Sequence, residues 1–416
     1  MPTILSRRDF LGLLGLGASL PFSSKLIAAT KRNFRIRTIT AGVRLKNIND
    51  IGRLQSASDF LKKSRKQFQS LEYEVQTVRI ATQALAQYLP AWHKSSSLEA
   101  IKQLDVFCRE NDVILSLGPV NSRGQDSDEF LSWLTEVISD NDRINCSLIV
   151  ASAQKGIDHG AIDLSAKLMS ALSRTTKGGE GNFRFTANAF CPPGSPFFPA
   201  AYFENEAFSI GLESANILYD TFVQATNRQD AVQKLKINMQ AALQPVALQA
   251  ETISQVTSRP YLGIDTSPAP LLDISIGRAI EALSGVKFGN ASTLSACAAI
   301  TDVLKNLDIK SCGYSGLMLP ILEDTVLAAR AMEGRYRISD LLLFSSVCGT
   351  GLDVVPLPGD IEHKQLVSLV SDVAALAKKY SKPLSARLFP VQGKKVGDIV
   401  TFDNPYLTDS VVMGVD

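Results

Sequence analysis

From Phe34 onward, short runs that alternate apolar and polar residues take turns with longer stretches whose apolar positions recur at helical spacing. Phe34 to Val43 (FRIRTITAGV) alternates as a half-buried strand does. Ile51 to Phe68 then reads as a helix, capped by Asn49 or Asp50 and basic on its outer face. Tyr73 to Ala81 is strand-like, and Leu98 to Glu110 is helical behind a Ser95-Ser96-Ser97 cap. Val113 to Gly118 is a strand, Glu129 to Ile138 a helix, and Leu148 to Ser152 and Phe183 to Phe190 are strands. Two long helical stretches follow, at Ala207 to Gln224 and Ala231 to Gln255. The strand Tyr261 to Asp265, the helices Leu271 to Leu283, Thr293 to Asn306, Asp324 to Met332 and Lys364 to Lys378, and the strand Leu384 to Phe389 complete the pattern. Strands alternating with helices predict an α/β fold with a mostly parallel sheet, closed or open, and helices outside it. No short-period repeat and no long Pro/Ser/Gly linker interrupts the chain, so residues 30–416 read as one domain.

The segment before Phe34 follows another logic. Ser6-Arg7-Arg8-Asp9-Phe10-Leu11 matches the twin-arginine export motif, and an uncharged stretch from Leu11 to Ser24 leads to Lys25 and the small residues Ala28 and Ala29. This basic, apolar, small-residue layout is that of a cleavable signal over residues 1–29. The apolar run is too short and too rich in Gly and Ser for a membrane span, so no stable span is expected after processing. The bland alternative is an amphipathic N-terminal helix that carries two arginines. The expected partner is the twin-arginine export machinery, and the expected location is periplasmic or extracellular. Gly12, Gly15 and Gly17 follow no strand, so they form no dinucleotide fingerprint.

Removing residues 1–29 takes away three of the 43 basic and one of the 41 acidic residues, which leaves a formally neutral body. A neutral body without a basic block argues against nucleic acid or an anionic membrane as the main partner. With 45% hydrophobic and 20% charged residues, the chain has ordinary globular composition. The six cysteines (Cys108, Cys146, Cys191, Cys297, Cys312, Cys348) form no CxxC pair, and His93, His159 and His363 are scattered. No metal spacing is present, and no cofactor is legible. Most of the cysteines read as small buried hydrophobes.

Four segments break the rhythm with dense Gly, Pro and polar residues. Asn188 to Tyr202 includes Cys191 and Ser195 and holds four prolines, and is either a pocket wall or a stiff surface connection. Gly263 to Pro270 places Asp265, Thr266 and Ser267 at the end of a strand, where α/β folds put ligand contacts. Ser267 and Asp265 also suit a turn or a helix cap. Ser311 to Pro320 carries a glycine-flanked Tyr314-Ser315 pair and runs into Glu323-Asp324, acidic residues that suit a helix start. Ser345 to Asp353 surrounds Cys348 with Gly349, Thr350 and Gly351. That loop either exposes a thiol and offers backbone N–H groups to an anion, or buries a structural cysteine.

Phe34–Val43 with its Arg37-Thr38-Ile39-Thr40, together with Asn182–Tyr202, Asp265–Pro268, Ser311–Arg330, Val347–Pro358 and the C-terminal Gln392-Gly393-Lys394-Lys395-Val396-Gly397-Asp398, resemble the domain of unknown function numbered 711, also catalogued as uncharacterised protein family 0210. The likeness covers essentially the whole mature chain. It implies a ten-stranded α/β barrel similar to the pyruvate formate-lyase class of glycyl radical enzymes, with Cys348 as the counterpart of an inner-loop cysteine. The C-terminal region lacks the Arg-Val-x-Gly-aromatic signature of a glycyl radical. Arg387-Leu388-Phe389-Pro390 and Gly397-Asp398 do not fit it.

The expectation is an exported barrel with a small-molecule pocket at one mouth, lined by Asn188, Cys191, Ser195, Tyr202, Ser267, Tyr314, Ser315, Gly349, Thr350, Gly351 and Asp353. In the leading reading it is a non-radical enzyme acting on a small polar metabolite. Asp265 would be its acid/base or cation contact, Cys348 its nucleophile or pocket thiol, and the Gly349–Gly351 backbone its anion cradle. The competing reading is a binding or sensing protein that holds the ligand without chemistry. Convergence of Asp265, Cys348 and a third polar group separates the two.

Overall fold

In the computed structural model, residues 34–94, 96–121 and 127–415 are described; the twin-arginine segment and its cleavage region lie outside them. The first half runs β1 (Arg35–Val43), α1 (Ile51–Ser70), β2 (Val75–Thr82), α2 (Ser96–Asn111), β3 (Ile114–Pro119), α3 (Asp128–Ser139), β4 (Ile144–Ser152), β5 (Gly156–Ile157), α4 (His159–Thr175) and β6 (Phe185–Ala189). It continues through β7 (Ala207–Glu213), α5 (Ala215–Val223), α6 (Arg228–Thr257), β8 (Tyr261–Pro268), α7 (Ile276–Ser284) and α8 (Thr293–Lys305). The chain ends with α9 (Thr325–Met332), α10 (Ile338–Val347), β9 (Gly351–Pro358), α11 (His363–Tyr380), β10 (Leu384–Val391) and the small hairpin β11 (Ile399–Val400) and β12 (Ser410–Val411).

Ten strands form one sheet in the order β8-β7-β1-β2-β3-β4-β6-β10-β9, with β5 paired to β4. The block β1-β2-β3-β4-β6 is parallel throughout. On either side it meets an antiparallel neighbour, β7 against β1 and β10 against β6. The expected ten-stranded barrel is met only in part: ten strands share one sheet, but the sheet is not closed, because β8 and β9 are edges with no ladder between them. Between them runs Ser311–Pro320, which meets each edge by a single parallel bridge, Ile264 to Ser311 and Pro320 to Asp353. Two bridges do not make a strand. Its glycines and Pro320 keep this segment from pairing continuously.

Helices cover one face of the sheet and bury an apolar stripe there. In α1 the buried residues Leu54, Ala57, Phe60, Leu61, Ser64 and Phe68 recur every three to four positions, one side of a helix. The strand residues facing them are fully buried hydrophobes, among them Ile36, Ile80, Leu115, Cys146, Phe185 and Leu388.

Three predicted boundaries fail for physical reasons. Ala207–Gln224 is not one helix: Phe208, Ile210 and Leu212 alternate, pair with β1 and begin a strand, and only Ala215–Val223 is helical. The helix expected from Leu271 starts at Ile276, where the Ser275 hydroxyl accepts from Arg278 N at 2.9 Å, because β8 extends to Pro268. The Gly-rich loop around Cys348 runs directly into β9, whose Pro356 and Pro358 are tolerated because β9 is an edge.

Asp324, fully buried, fastens two helices at once. Oδ1 accepts from Val326 N and Leu327 N, both at 3.0 Å, and from the Ser275 hydroxyl at 2.6 Å. Oδ2 accepts from Ile276 N at 2.6 Å and Gly277 N at 3.1 Å. One carboxylate thus serves the N-termini of both α7 and α9, where helix dipoles favour negative charge. Asp324→Ala is expected to lower stability by about 3 kcal/mol, read as a lower urea midpoint with an unchanged slope.

Candidate functional site

Polar residues at alternate strand positions collect on the sheet face away from the helices. Arg37 on β1, Thr77 and Arg79 on β2, Asn145 on β4, Thr186 on β6, Ser385 and Arg387 on β10 and Asp353 on β9 line a cavity of about 770 Å³. The period of two that sends Ile36, Val78 and Phe185 into the apolar core sends these side chains the other way. Aromatic and small apolar residues complete the wall, including Phe183, Phe197, Phe198, Met318 and Tyr406. A volume of this size is in the range of small-molecule sites.

Ion pairs knit most of this wall together. Glu323 accepts from Arg37 at 2.9 Å and from Arg387 at 2.6 Å. Arg37 also holds Glu213 at 3.1 Å, and Arg387 holds Asp353 at 2.7 Å. Burial opposes the charge on Arg387, yet Asp353 and Glu323 outweigh it and raise its pKa. Burial likewise pushes the Asp353 carboxyl up, against the pull of Arg387.

Arg79 stands apart. Its Nε donates to Thr77 Oγ1 at 3.2 Å and its guanidinium lies 5.0 Å from the Phe198 ring centroid, but among the described residues no carboxylate oxygen comes within 4 Å of it. Burial, and then Arg37, push its pKa down to about 9, with Glu323 opposing. It is therefore still a cation at neutral pH, one without a counter-ion of its own. A guanidinium so placed offers a planar fork of donors to a carboxylate or phosphate.

The four unusual segments all reach the cavity, mostly through residues other than those singled out from sequence. Phe197, Phe198, Pro199 and Ala200 come from the first, Ala269 and Pro270 from the second, Tyr314, Met318 and Pro320 from the third, Thr350 and Asp353 from the fourth. Tyr314, Thr350 and Asp353 are thus the sequence-predicted residues on the wall. Thr350 Oγ1 is buried there without a hydrogen-bond partner. Tyr314 lies against Ser385 and Cys191, and burial lifts its pKa well above the usual phenol range, so its hydroxyl keeps its proton.

Asp265 and the remaining candidates gather behind that wall. The Asp265 carboxylate, fully buried, accepts from Ser267 Oγ at 2.6 Å, Ser267 N at 3.1 Å, Tyr314 N at 2.8 Å and Ser315 N at 2.9 Å. Burial raises its pKa against these bonds. Ser267 Oγ in turn accepts from Gly316 N at 3.0 Å, and Ser315 Oγ donates to Cys312 O at 2.9 Å. Asp265 shapes the Tyr314 loop, and Gly313 is required there, because with φ +65° a Cβ would sit 2.2 Å from Asp265 Oδ2. Asn188 Oδ1 accepts from Cys191 N at 3.2 Å, and the Tyr202 hydroxyl donates to Cys191 O at 3.3 Å. Burial pushes the Cys191 thiol up to about 12, with Ser195 and Tyr314 beside it.

Gly349 N donates to Leu317 O at 3.1 Å, and a Cβ on Gly349 would come 2.4 Å from Gly316 Cα, so the backbones of two segments touch. That N–H is therefore already used. Gly351 opens β9 with φ +89°. Cys348, fully buried, belongs to the main apolar core with Cys297, and burial pushes its thiol up although Lys382 opposes this. Lys382 Nζ donates to the carbonyls of Ser345 at 2.5 Å, Ser346 at 2.9 Å and Cys348 at 2.7 Å, closing the end of α10. Asp265 and Cys348 are not on the cavity wall. Among the described residues, no three His, Cys, Asp or Glu side chains are grouped to hold a metal ion, and no helix is long and apolar enough to cross a membrane.

Sequence reasoning placed none of Arg37, Arg79, Arg387 and Glu323 in the site: Arg37 and Arg387 stood only in motifs, and Glu323, read with Asp324 as a helix start, instead pairs with both arginines. The signal was present, since an arginine at an alternating position of a β-rich run points either to solvent or to an interior polar face. With Cys348 in the core, Cys348→Ser buries a hydroxyl in apolar surroundings. It should cost roughly 1–3 kcal/mol in a thermal or urea melt while leaving the response to any cavity ligand unchanged.

The profile of the family described as Uncharacterised ACR (DUF711) matches residues 28–404. The chain is 26% identical over 288 residues to a UPF0210 protein of Thermoanaerobacter, covering 65% of this chain and 63% of the relative. It is 28% identical over 282 residues to one of Pyrobaculum aerophilum, covering 64% of this chain and 61% of the relative. A UPF0210 protein of Neisseria meningitidis serogroup B is 25% identical over 399 residues, 89% of this chain and 88% of the relative. The matched stretch thus spans less than two thirds of the first two relatives and most of the third. By the reach of that profile, from before β1 to Asn404 on the cavity wall, the chain belongs to the uncharacterised DUF711 family.

Proposed function

We propose that this protein holds an anionic small molecule in the cavity, with Arg79 as its anchor. The observation that carries the reading is a desolvated guanidinium on the cavity wall with no carboxylate oxygen within 4 Å among the described residues. Leaving a buried charge uncompensated is costly, and an anionic ligand supplies the missing partner. The polar metabolite inferred from sequence becomes, on this reading, an acid. Phe197, Phe198 and Met318 offer its body an apolar surface, and the retained proton of Tyr314 offers a hydrogen bond. Binding without catalysis is favoured over an enzyme, because Asp265 and Cys348 do not converge on the cavity.

Two further proposals concern the chain as a whole. Residues 30–416 act as one domain in which Ser311–Pro320 takes the remaining place of a pyruvate formate-lyase-like barrel, a reading supported by its bridges to β8 and β9. Residues 1–29 direct export through the twin-arginine route, a reading supported by Arg7-Arg8 and the apolar stretch behind them.

Thermal-shift titration with inorganic phosphate, sulfate and small carboxylates tests the anchor. At about 100 times its dissociation constant, a bound anion adds roughly 2.7 kcal/mol and raises the melting temperature. Arg79→Met should abolish that rise and melt at or above the parent without anion, since it removes an unpaired buried charge. A variant that responds to anions as the parent does removes Arg79 from the site. For export, replacing Arg7 and Arg8 together with Lys should leave unprocessed protein in the cytosol; normal export of that variant overturns the twin-arginine assignment.

A further inference from the structure

Among the described residues, six cationic side chains line the cavity: Arg37, Arg79, Arg143, Lys177, Arg184 and Arg387. Four have a carboxylate oxygen within 4 Å, Arg37 from Glu213 and Glu323, Arg143 from Asp112, Lys177 from Asp403 and Arg387 from Glu323 and Asp353. Two do not. Besides Arg79, the second is Arg184, immediately before β6.

Arg184 Nη2 donates to Ile138 O at 2.5 Å, which pins one arm of the fork, while its Nε is buried with no partner. A guanidinium nitrogen stripped of water and left unbonded is expensive, and the usual reason to keep one is a ligand that completes it. Asp142, Asp105 and Glu180 act on Arg184 through space, yet none reaches it within ion-pair distance. Their charge does not satisfy its donors.

The sheet register sets the span between these two positions. Arg79 pairs with Ile114 on β3, Leu115 with Ile144 on β4, and Cys146 with Phe185 on β6. From β2 to β6 is therefore three strand spacings, roughly 14 Å. Both residues line the same cavity, and a span of this order is one that a small molecule can bridge. Ile114 and Asn145 lie on the wall between them.

We propose that the ligand carries two acidic groups, one held by Arg79 and the other by Arg184, joined by a short body that crosses Ile114 and Asn145. This rests on the anion-binding reading above and deepens it, naming a diacid as the class. Carboxylate and phosphate share the chemistry that a guanidinium recognises, so both must be tried.

The experiment is calorimetric titration of the full chain with straight-chain α,ω-dicarboxylates and α,ω-bisphosphates of increasing length, each beside its monoacid. A diacid of matching length should bind roughly tenfold or more tighter than its monoacid, with an optimum in the length series. Arg184→Met should bring the diacid down to the monoacid's affinity and leave the monoacid unchanged, and Arg184→Lys should recover part of the advantage. Arg79→Met should weaken both. If Arg184→Met melts well below the parent because Ile138 O has lost its donor, the lysine variant and the length series decide the matter. Equal affinity of monoacids and diacids, or an Arg184 variant that weakens both alike, overturns the diacid proposal alone. Binding of none of these acids to the parent protein overturns the anion-binding reading, and the diacid proposal with it.

Discussion

The Glu323 carboxylate, shared between Arg37 and Arg387, is the contact on which the arrangement of the cavity depends. Arg37 belongs to β1 and Arg387 to β10, two strands separated in the sheet by β2, β3, β4 and β6. Glu323 itself stands in the short turn Ile321–Glu323, between the segment that passes the two sheet edges and helix α9. One side chain thus ties both halves of the sheet to the segment that runs between its edges. Because β8 and β9 form no ladder with each other, a charge network does across the interior what backbone pairing does elsewhere. Such a network is not a large source of net stability, since desolvation offsets the Coulomb gain. Its value is geometric: removing Arg387 leaves Asp353 without its ion pair, and removing Glu323 takes from Arg37 and Arg387 the carboxylate they share, so competing arrangements are disfavoured.

Placement of the neighbouring carboxylates follows from this. Glu213 and Asp353 extend the chain of pairs at either end and hold Arg37 and Arg387 against rotation. Asp324, one residue after Glu323, turns inward to cap α7 and α9 instead. Adjacent acidic residues in one turn therefore do different work. One neutralises arginines on the cavity wall, and the other satisfies the orphan N–H groups of two helices. Asp265 does a third job, collecting four donors so that the Tyr314 loop keeps the shape that presents its hydroxyl to the cavity. Among the described residues, the cations on the cavity wall without a carboxylate oxygen within 4 Å are then Arg79 and Arg184.

The strands and helices of the first half were legible because each alternates or repeats over enough residues to show its period, as FRIRTITAGV and the α1 stripe do. Ala207–Glu213 was misread because its short alternation runs straight into a helix, and the two periods blur over so few residues. Family membership was legible as well, since motifs at both ends of the chain carried the likeness. The site was harder. Arg37, Arg79 and Arg387 sit in strands whose sequences are compatible with an outer polar face or an inner one, and only the sheet decides which. Asp265 attracted notice as a carboxylate at a strand end, a position shared by ligand contacts and loop organisers alike. The local donors of Ser267 suit either role, and the two that tie Asp265 to the Tyr314 loop come from residues 49 and 50 positions away.

Cys348 shows how the same ambiguity is settled by packing. Its glycine-rich surroundings looked like the flexibility a reactive loop needs, yet the glycines answer a steric demand. Gly349 and Gly316 lie so close that neither tolerates a side chain, and that contact is where the two unusual segments cross. The thiol turns away from the crossing into the core, while Lys382 occupies the carbonyls at the end of α10. With its charge spent on those carbonyls and the thiol kept protonated by burial, this corner is chemically quiet. On the cavity wall, Thr350 Oγ1 and Arg184 Nε are buried without a hydrogen-bond partner among the described residues. A resemblance of fold does not by itself carry chemistry, and on the reading proposed above the electrostatics of the interior serve recognition of charge.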